Sequence, residues 1–469
     1  MTATYEMREP PVAECPRGIS PTWMARTRCV VGPHAAARAC ATSSRRGFAP
    51  AATRSSHLRS IWLSALGCAL LLATACAPRA PAIASKAPTQ APESVVARPS
   101  RASWATDTYS PRPATLPDPR DAEVAAACGG GIDAALDAVA EQVVRSFAAT
   151  NELPEAQQLE FLQRRAGNPH VWARTFGAKV DGGVIDRQKL ASDVRAAFGD
   201  AALRTRCGVA SLRTGAGAQT SESLAVVSVE VVADLAAMPT RGRTGGWIDL
   251  DATLTDGVTD GRVVLLPPRG APRAVLSSTS QGAPRHVKAR FALAMPGRHV
   301  VQVLADDGHG PRPVLEAEIW ADVEPSSSAP SGEVPGESAG DAVAKIDDAL
   351  FARLNGLRAA EGIAKLARDP MLDGVAQAHA ESMMRHGLLA HDVGEGDPRA
   401  RIVAAGGGAF KILGENVARA HDERAAHRAL YASPSHRGNM LDARFTKVGI
   451  GYVLDAERGE VWVAQEYGG

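Results

Sequence analysis

The chain has 469 residues, and 52 Lys plus Arg against 51 Asp plus Glu leave a formal net charge of +1. That balance excludes a large basic surface for nucleic acid. With 45% hydrophobic and 22% charged residues, global disorder is excluded and packed cores are within reach. The length suggests roughly three domains.

The start of the chain is rich in Ala, Arg, Ser and Pro and has neither a helical nor a strand period. Arg54 and Arg59 then precede an apolar run from Ile61 to Ala75 that ends at Ala-Cys. Basic, apolar and small residues in that order are the layout of a secretory signal. The run is shorter than the ~20 residues a spanning helix needs. The segment LLATAC resembles a bacterial lipobox, which would make residues 1–76 a leader and Cys76 the lipidated residue of a membrane-anchored lipoprotein. The stretch before Arg54 is long for a signal and points to a start codon near that residue. Ala77, where inner-membrane lipoproteins often carry aspartate, points to the outer membrane or cell surface.

Seven cysteines are present. Cys15, Cys29, Cys40 and Cys68 fall in the leader and Cys76 would carry lipid, so Cys128 and Cys207 remain. An even remainder in an oxidising compartment suggests one disulfide between them; two buried free thiols are the alternative.

Residues 77–120 read as a Pro/Ala-rich tether. Residues 121–215 read as a helical domain, because Ile132, Leu136, Val139, Val143 and Phe147 make one apolar stripe and Leu190, Val194 and Phe198 another. Residues 220–323 hold seven short candidate strands, from SLAVVSVEVV to VLEAEIWADV, which fits an immunoglobulin-like β-sandwich. The segment EPSSSAPSGEVPGESAG marks a second linker, residues 324–341.

Residues 342–469 carry the most information. Ile346, Leu350, Leu354 and Leu357 mark a helix, and Asp369-Pro370 starts another that continues through Leu372, Val375, His379 and Met383. Asp397-Pro398 repeats the start signal, and Asp422 caps a helix through Leu430 that Pro434 breaks. VGIGYVLD and EVWVAQEY alternate with period two around AERG and read as a β-hairpin. Helices flanking a small antiparallel sheet give an α/β/α sandwich.

Several pieces of this region, in order, resemble the CAP superfamily, also called the SCP or PR-1-like domain, in its bacterial form. They are LNGLRAAEGIAKLARDPMLDGVAQAHAESM, GLLAHD, GENVA, SPSHRGNML, FTKVGIGYV and VWVAQEYG. The resemblance implies a cleft lined by two histidines and two glutamates. By position these are His391, Glu415 and His436, with Ser433 standing where the second glutamate is expected and Leu430 where a tryptophan is frequent. Two imidazoles and a carboxylate suit zinc or another divalent metal. The same side chains could equally be scaffold, since buried polar groups need partners. A third reading sets Ser433 or Ser435 as a nucleophile beside His436, with Glu415 orienting the ring. Neither serine lies in a Gly-x-Ser-x-Gly elbow.

The remaining candidates take plainer readings. His379 and His386 are expected to be core or surface, His421 and His427 to be solvated, and Asn355 and Arg358 to brace the fold. The whole is expected to be an exported cell-envelope lipoprotein that is not an enzyme. Its CAP domain would bind a wall component, an envelope protein or polymer, or a lipid or small hydrophobic ligand, since the resemblance implies relatives that bind sterols, fatty acids or divalent ions. The competing reading is a metal-dependent or serine hydrolase of envelope peptides or polymers.

Overall fold

The computed structural model describes residues 105–110, 118–198, 204–215, 220–330 and 332–469. The leader, with Cys76, and most of the expected tether lie outside them. Among the described residues no helix is long and apolar enough to cross a membrane.

The first domain contains helices α1 (Ala122–Ala126), α2 (Ala134–Thr150), α3 (Ala156–Ala166) and α4 (Arg187–Phe198), but it is not all-helical. Strands β2 (Arg174–Asp181), β3 (Thr205–Thr214) and β4 (Ser221–Glu230) form an antiparallel sheet in the order β2-β4-β3, while the two-residue β1 (Thr108–Tyr109) lies ahead of the helices. The run SLAVVSVEVV, expected in the sandwich, is the central strand here. Residues 222–229 are all buried, so the strand has no polar face, and helices cover the sheet on both sides. Leu136, Val143 and Leu159 pack on one side; Val124, Leu190 and Val194 pack on the other. Cys128 and Cys207 are joined by a disulfide there, with Cα atoms 5.9 Å apart.

The second domain is a two-sheet sandwich. Its short first strands are β5 (Ala233–Leu235), β6 (Met238–Pro239) and β7 (Arg241–Gly242). Then follow β8 (Trp247–Leu254), β9 (Asp260–Leu266), β10 (Arg273–Val275), β11 (Ser277–Thr279), β12 (His286–Ala292), β13 (Gly297–Asp306) and β14 (Pro311–Ala321). One sheet runs β10-β9-β13-β14-β7 and the other β11-β12-β8-β5. Alternate residues such as Ile248, Leu250, Phe291, Val301 and Val303 point between them into one core. The end of the expected tether is built into this domain. β1 pairs with β6, and buried Tyr109 accepts the Glu318 N–H at 2.9 Å.

The third domain is the expected α/β/α sandwich. Its helices are α5 (Ile346–Ala360), α6 (Pro370–His386), α7 (Pro398–Ala404), α8 (Glu423–Ala432) and α9 (Pro434–Leu441). Its strands are β15 (Ala367–Arg368), β16 (Leu413–Ala420), β17 (Lys447–Asp455) and β18 (Glu460–Gly468), ordered β15-β17-β18-β16. Leu350, Leu354, Leu430 and Met440 cover one face of the sheet; Ala376, Ala380 and Met383 of α6 cover the other. Gly451 lets α6 lie directly on β17: a Cβ there would sit 2.1 Å from the Gln377 backbone nitrogen. Asn355 and Arg358 do brace the fold, through the Leu366 backbone and the carbonyls of Ala364, Met440 and Asp442.

His436 lies within helix α9, because Pro434 at its first position has the φ a helix needs and lacks only an N–H that would be unpaired anyway. His427 is fully buried, not solvated, and among the described residues neither ring nitrogen has a hydrogen-bond partner. It lies among Arg353, Arg428 and Glu337, and the last of these comes from the end of the second linker. Glu337 is itself buried and receives Arg424 at 3.0 Å and Arg428 at 2.8 Å, which fastens that segment to α8.

Candidate functional site

The cleft is built from three places in the third domain. The loop after α6 carries His391, β16 carries Glu415, and α9 carries His436. Nδ1 of His391 lies 2.5 Å from Oε1 of Glu415. The other Glu415 oxygen accepts from Arg401 Nη2 of α7. That guanidinium also reaches Glu466 Oε1 at 3.2 Å and the carbonyls of His391 and Gly396 at 2.7 and 2.6 Å. One cation thus ties the His391 loop to two strands.

Glu415 and Glu466 are register partners on β16 and β18, and both are buried. Burial raises both carboxyls, and two buried negative charges side by side are unfavourable. The His391 hydrogen bond and charge bring Glu415 below the usual carboxylate range. Glu466 goes the other way, since burial and the Glu415 charge outweigh Arg401 and raise it. Glu415 therefore carries the charge and Glu466 the proton. Among the described residues Oε2 of Glu466 has no hydrogen-bond partner, which a buried neutral carboxyl tolerates better than a charged one.

His436 is 7% exposed. Burial, aided by the charge of His391 and opposed by Glu415, pushes its imidazole down to about 3, so the ring is neutral at pH 7. The main chain around it is fixed by Asn416 Nδ2, which donates to the His436 carbonyl at 3.1 Å. Asn439 completes the link by donating to the Glu415 carbonyl and to Asn416 Oδ1, each at 3.0 Å. His391 and Glu415 therefore touch. His436 stands within reach of their charges, but among the described residues its ring makes no hydrogen bond to either.

The Ser433 Oγ accepts from Gln302 Nε2 of the sandwich at 3.1 Å and lies 3.4 Å from Ser435 Oγ. Neither serine makes a hydrogen bond to His436 among the described residues.

The donor set fits a metal poorly as arranged. Both Glu415 oxygens are engaged, one of them by a cation, which leaves the two imidazoles. Among the described residues no three His, Cys, Asp or Glu side chains group as metal ligands.

Sequence reasoning missed Arg401 and Glu466, while His379 was expected at core or surface. His379 is buried, with Nδ1 2.6 Å from Glu395 Oε1 and Nε2 3.0 Å from the Ala390 carbonyl, and it braces the loop that presents His391. One signal was available for Glu466. A glutamate inside VWVAQEY, a run apolar enough to be buried on both faces, needs a specific partner.

A family model described as the cysteine-rich secretory protein family, CAP, matches residues 351–467. An uncharacterized protein of Bacillus subtilis (strain 168), YkwD, is 27% identical over 132 residues, 28% of this chain and 50% of the relative. The chain thus spans about half the length of the curated relative it matches. An outer surface protein from Borrelia burgdorferi is 20% identical, with 26% of this chain and 91% of that one covered and a TM-score of 0.25. An extracellular SCP-domain protein from Bacillus anthracis str. Ames is 18% identical, with 50% and 85% covered and a TM-score of 0.25. The chain thus carries a CAP domain over residues 351–467.

Proposed function

We propose that this is an exported lipoprotein, anchored through Cys76, whose CAP domain binds a wall component, lipid or partner at the cell envelope without catalysing a reaction. The observation that carries the reading is the state of the cleft. The Glu415 charge is neutralised by Arg401, the Ser433 hydroxyl is bonded to Gln302, and the Ser435 hydroxyl lies beside that of Ser433; among the described residues neither hydroxyl bonds His436. A nucleophile needs a base within hydrogen-bond reach. A fluorophosphonate probe is therefore expected to leave the purified full chain unlabelled. An adduct on either serine would replace the binding reading with a hydrolase.

The strand order of the central sandwich, with β14-β13-β9 facing β12-β8, supports its reading as an immunoglobulin-like spacer. The lipobox-like LLATAC supports the anchor. Cys76→Ala is expected to move the protein from the membrane to the soluble fraction, and unchanged fractionation would remove the anchor from the proposal. A divalent ion, if one enters, would rest on His391 and His436. Zinc calorimetry on the full chain beside His391→Ala and His436→Ala tests this, and heat that persists in both variants places the ion elsewhere.

A further inference from the structure

The outer face of one sandwich sheet, together with its β13–β14 turn, packs on both sides of the His391–His436 group. On the α9 side, the buried Gln302 side chain makes the hydrogen bonds. Gln302 of β13 accepts the Ser435 N–H through Oε1 at 3.0 Å and donates through Nε2 to Ser433 Oγ at 3.1 Å. Helix α9 packs along β9 and β13. On the opposite wall, the turn between β13 and β14 is seated on the His391 loop. The His309 carbonyl accepts the Asp392 N–H at 3.1 Å, and His309 Nδ1 lies 3.1 Å from the Asp392 carbonyl. Gly310, at φ +91°, lies flush on His391: a Cβ there would sit 2.9 Å from the His391 Cβ.

We propose that the central sandwich is a lid on the CAP cleft, closed in this structure, and that the cleft becomes accessible when the Gln302 and His309 contacts part. This inference rests on the reading of the cleft as the binding site. Two features suit the contacts to opening. The polar contacts are hydrogen bonds of amides, a hydroxyl, an imidazole and main chain that water can replace, so parting them costs far less than opening a core. The covalent connection is also long enough to permit it. Residues 324–330, EPSSSAP, run without helix or strand, and the chain is held on the CAP domain at Gly336, flush on Gly356, and at Glu337.

The full chain supplies its own reference points for a test by diethylpyrocarbonate modification at about pH 7.5, read peptide by peptide by mass spectrometry. His421 is an exposed marker at 65% side-chain exposure, and His427 is a core marker at 0%. If the sandwich opens as a lid, His436 reacts at a rate between the two, more slowly than His421 and faster than His427, which reacts only when the CAP domain itself opens. Gln302→Ala then speeds His436 by about tenfold, as expected for loss of one or two hydrogen bonds, and leaves His427 unchanged. His436 as reactive as His421 in the parent means an uncovered cleft. His436 as slow as His427 means no motion short of unfolding. Either result overturns the lid. Should Gln302→Ala also expose His427, the variant has misfolded and the order of rates in the parent decides alone. The measurement reads the cover and not the ligand. A lid that opens over a cleft to which no envelope component binds therefore sinks the binding proposal only.

Discussion

Glu415 and Glu466 are chemically identical residues in register across two strands, yet their surroundings give them opposite protonation states. Their amide variants should therefore behave differently. Glu466→Gln replaces a protonated carboxyl by a near-isostere that can still donate, and should change stability by no more than about 1 kcal/mol. Glu415→Gln removes the charge that Arg401 faces in a buried site and should cost about 3 kcal/mol or more. Urea unfolding of the two variants checks the asymmetry; equal losses would mean that the proton is not on Glu466. His427 gives a second, pH-dependent effect. Burial, with the charges of Arg353 and Arg428, pushes its pKa from 6.5 down to about 4. Between those values the unfolded chain binds the proton more tightly, so stability is intact above pH 6.5 and falls as pH drops toward 4. The effect reaches roughly 3 kcal/mol at the acid end of that window. Carboxylates add their own loss at lower pH. Burial presses Glu337 upward, but Arg428, the Val334 N–H and Arg424 outweigh it and hold it at about 2. Unfolding midpoints of His427→Leu should therefore vary less than the parent's between pH 6.5 and 4.

At the scale of elements, what can be read from the sequence depends on burial. Helices α5, α6 and α8 were legible because each has one wet face, so the apolar residues recur at helical spacing. The β17–β18 hairpin was legible from its alternation around AERG. Strand β4 shows where this fails. It is covered on both sides, has no polar face to set its register, and was placed in the wrong domain. His391, Glu415 and His436 could be singled out because each lies in a short contiguous motif. Arg401, Glu466 and Gln302 reach the site only through strand register and domain packing, which no local pattern encodes. Gly451 is a further contact of this kind, since its lack of a side chain sets how closely α6 approaches β17. Gly451→Ala is expected to cost about 2–3 kcal/mol, because the clash is with backbone that cannot swing aside. A denaturant midpoint equal to the parent's would show that α6 can shift without loss.

For the whole molecule, the disulfide and the inter-domain hydrogen bonds act on different states. Cys128–Cys207 bridges a sequence separation of 79 residues, so much of its effect is to restrict the unfolded first domain. Replacing both cysteines by serine should cost about 3–4 kcal/mol, seen as a lower unfolding midpoint that adding reductant to the parent reproduces. Gln302 acts within the folded state. Beyond its two bonds to the CAP domain, its Nε2 also donates to Glu316 Oε2 at 3.1 Å, and Glu316 lies 3.9 Å from Arg164 of the first domain. This polar junction connecting three domains also bears on the order of synthesis. Residue 302 leaves the ribosome 131 residues ahead of Ser433, so the sandwich can be complete while the partners of Gln302 are still unmade. Until they arrive, the amide waits in water, where it is already well solvated. The half-finished chain thus shows a hydrophilic patch at this junction, with little there to draw it into aggregates.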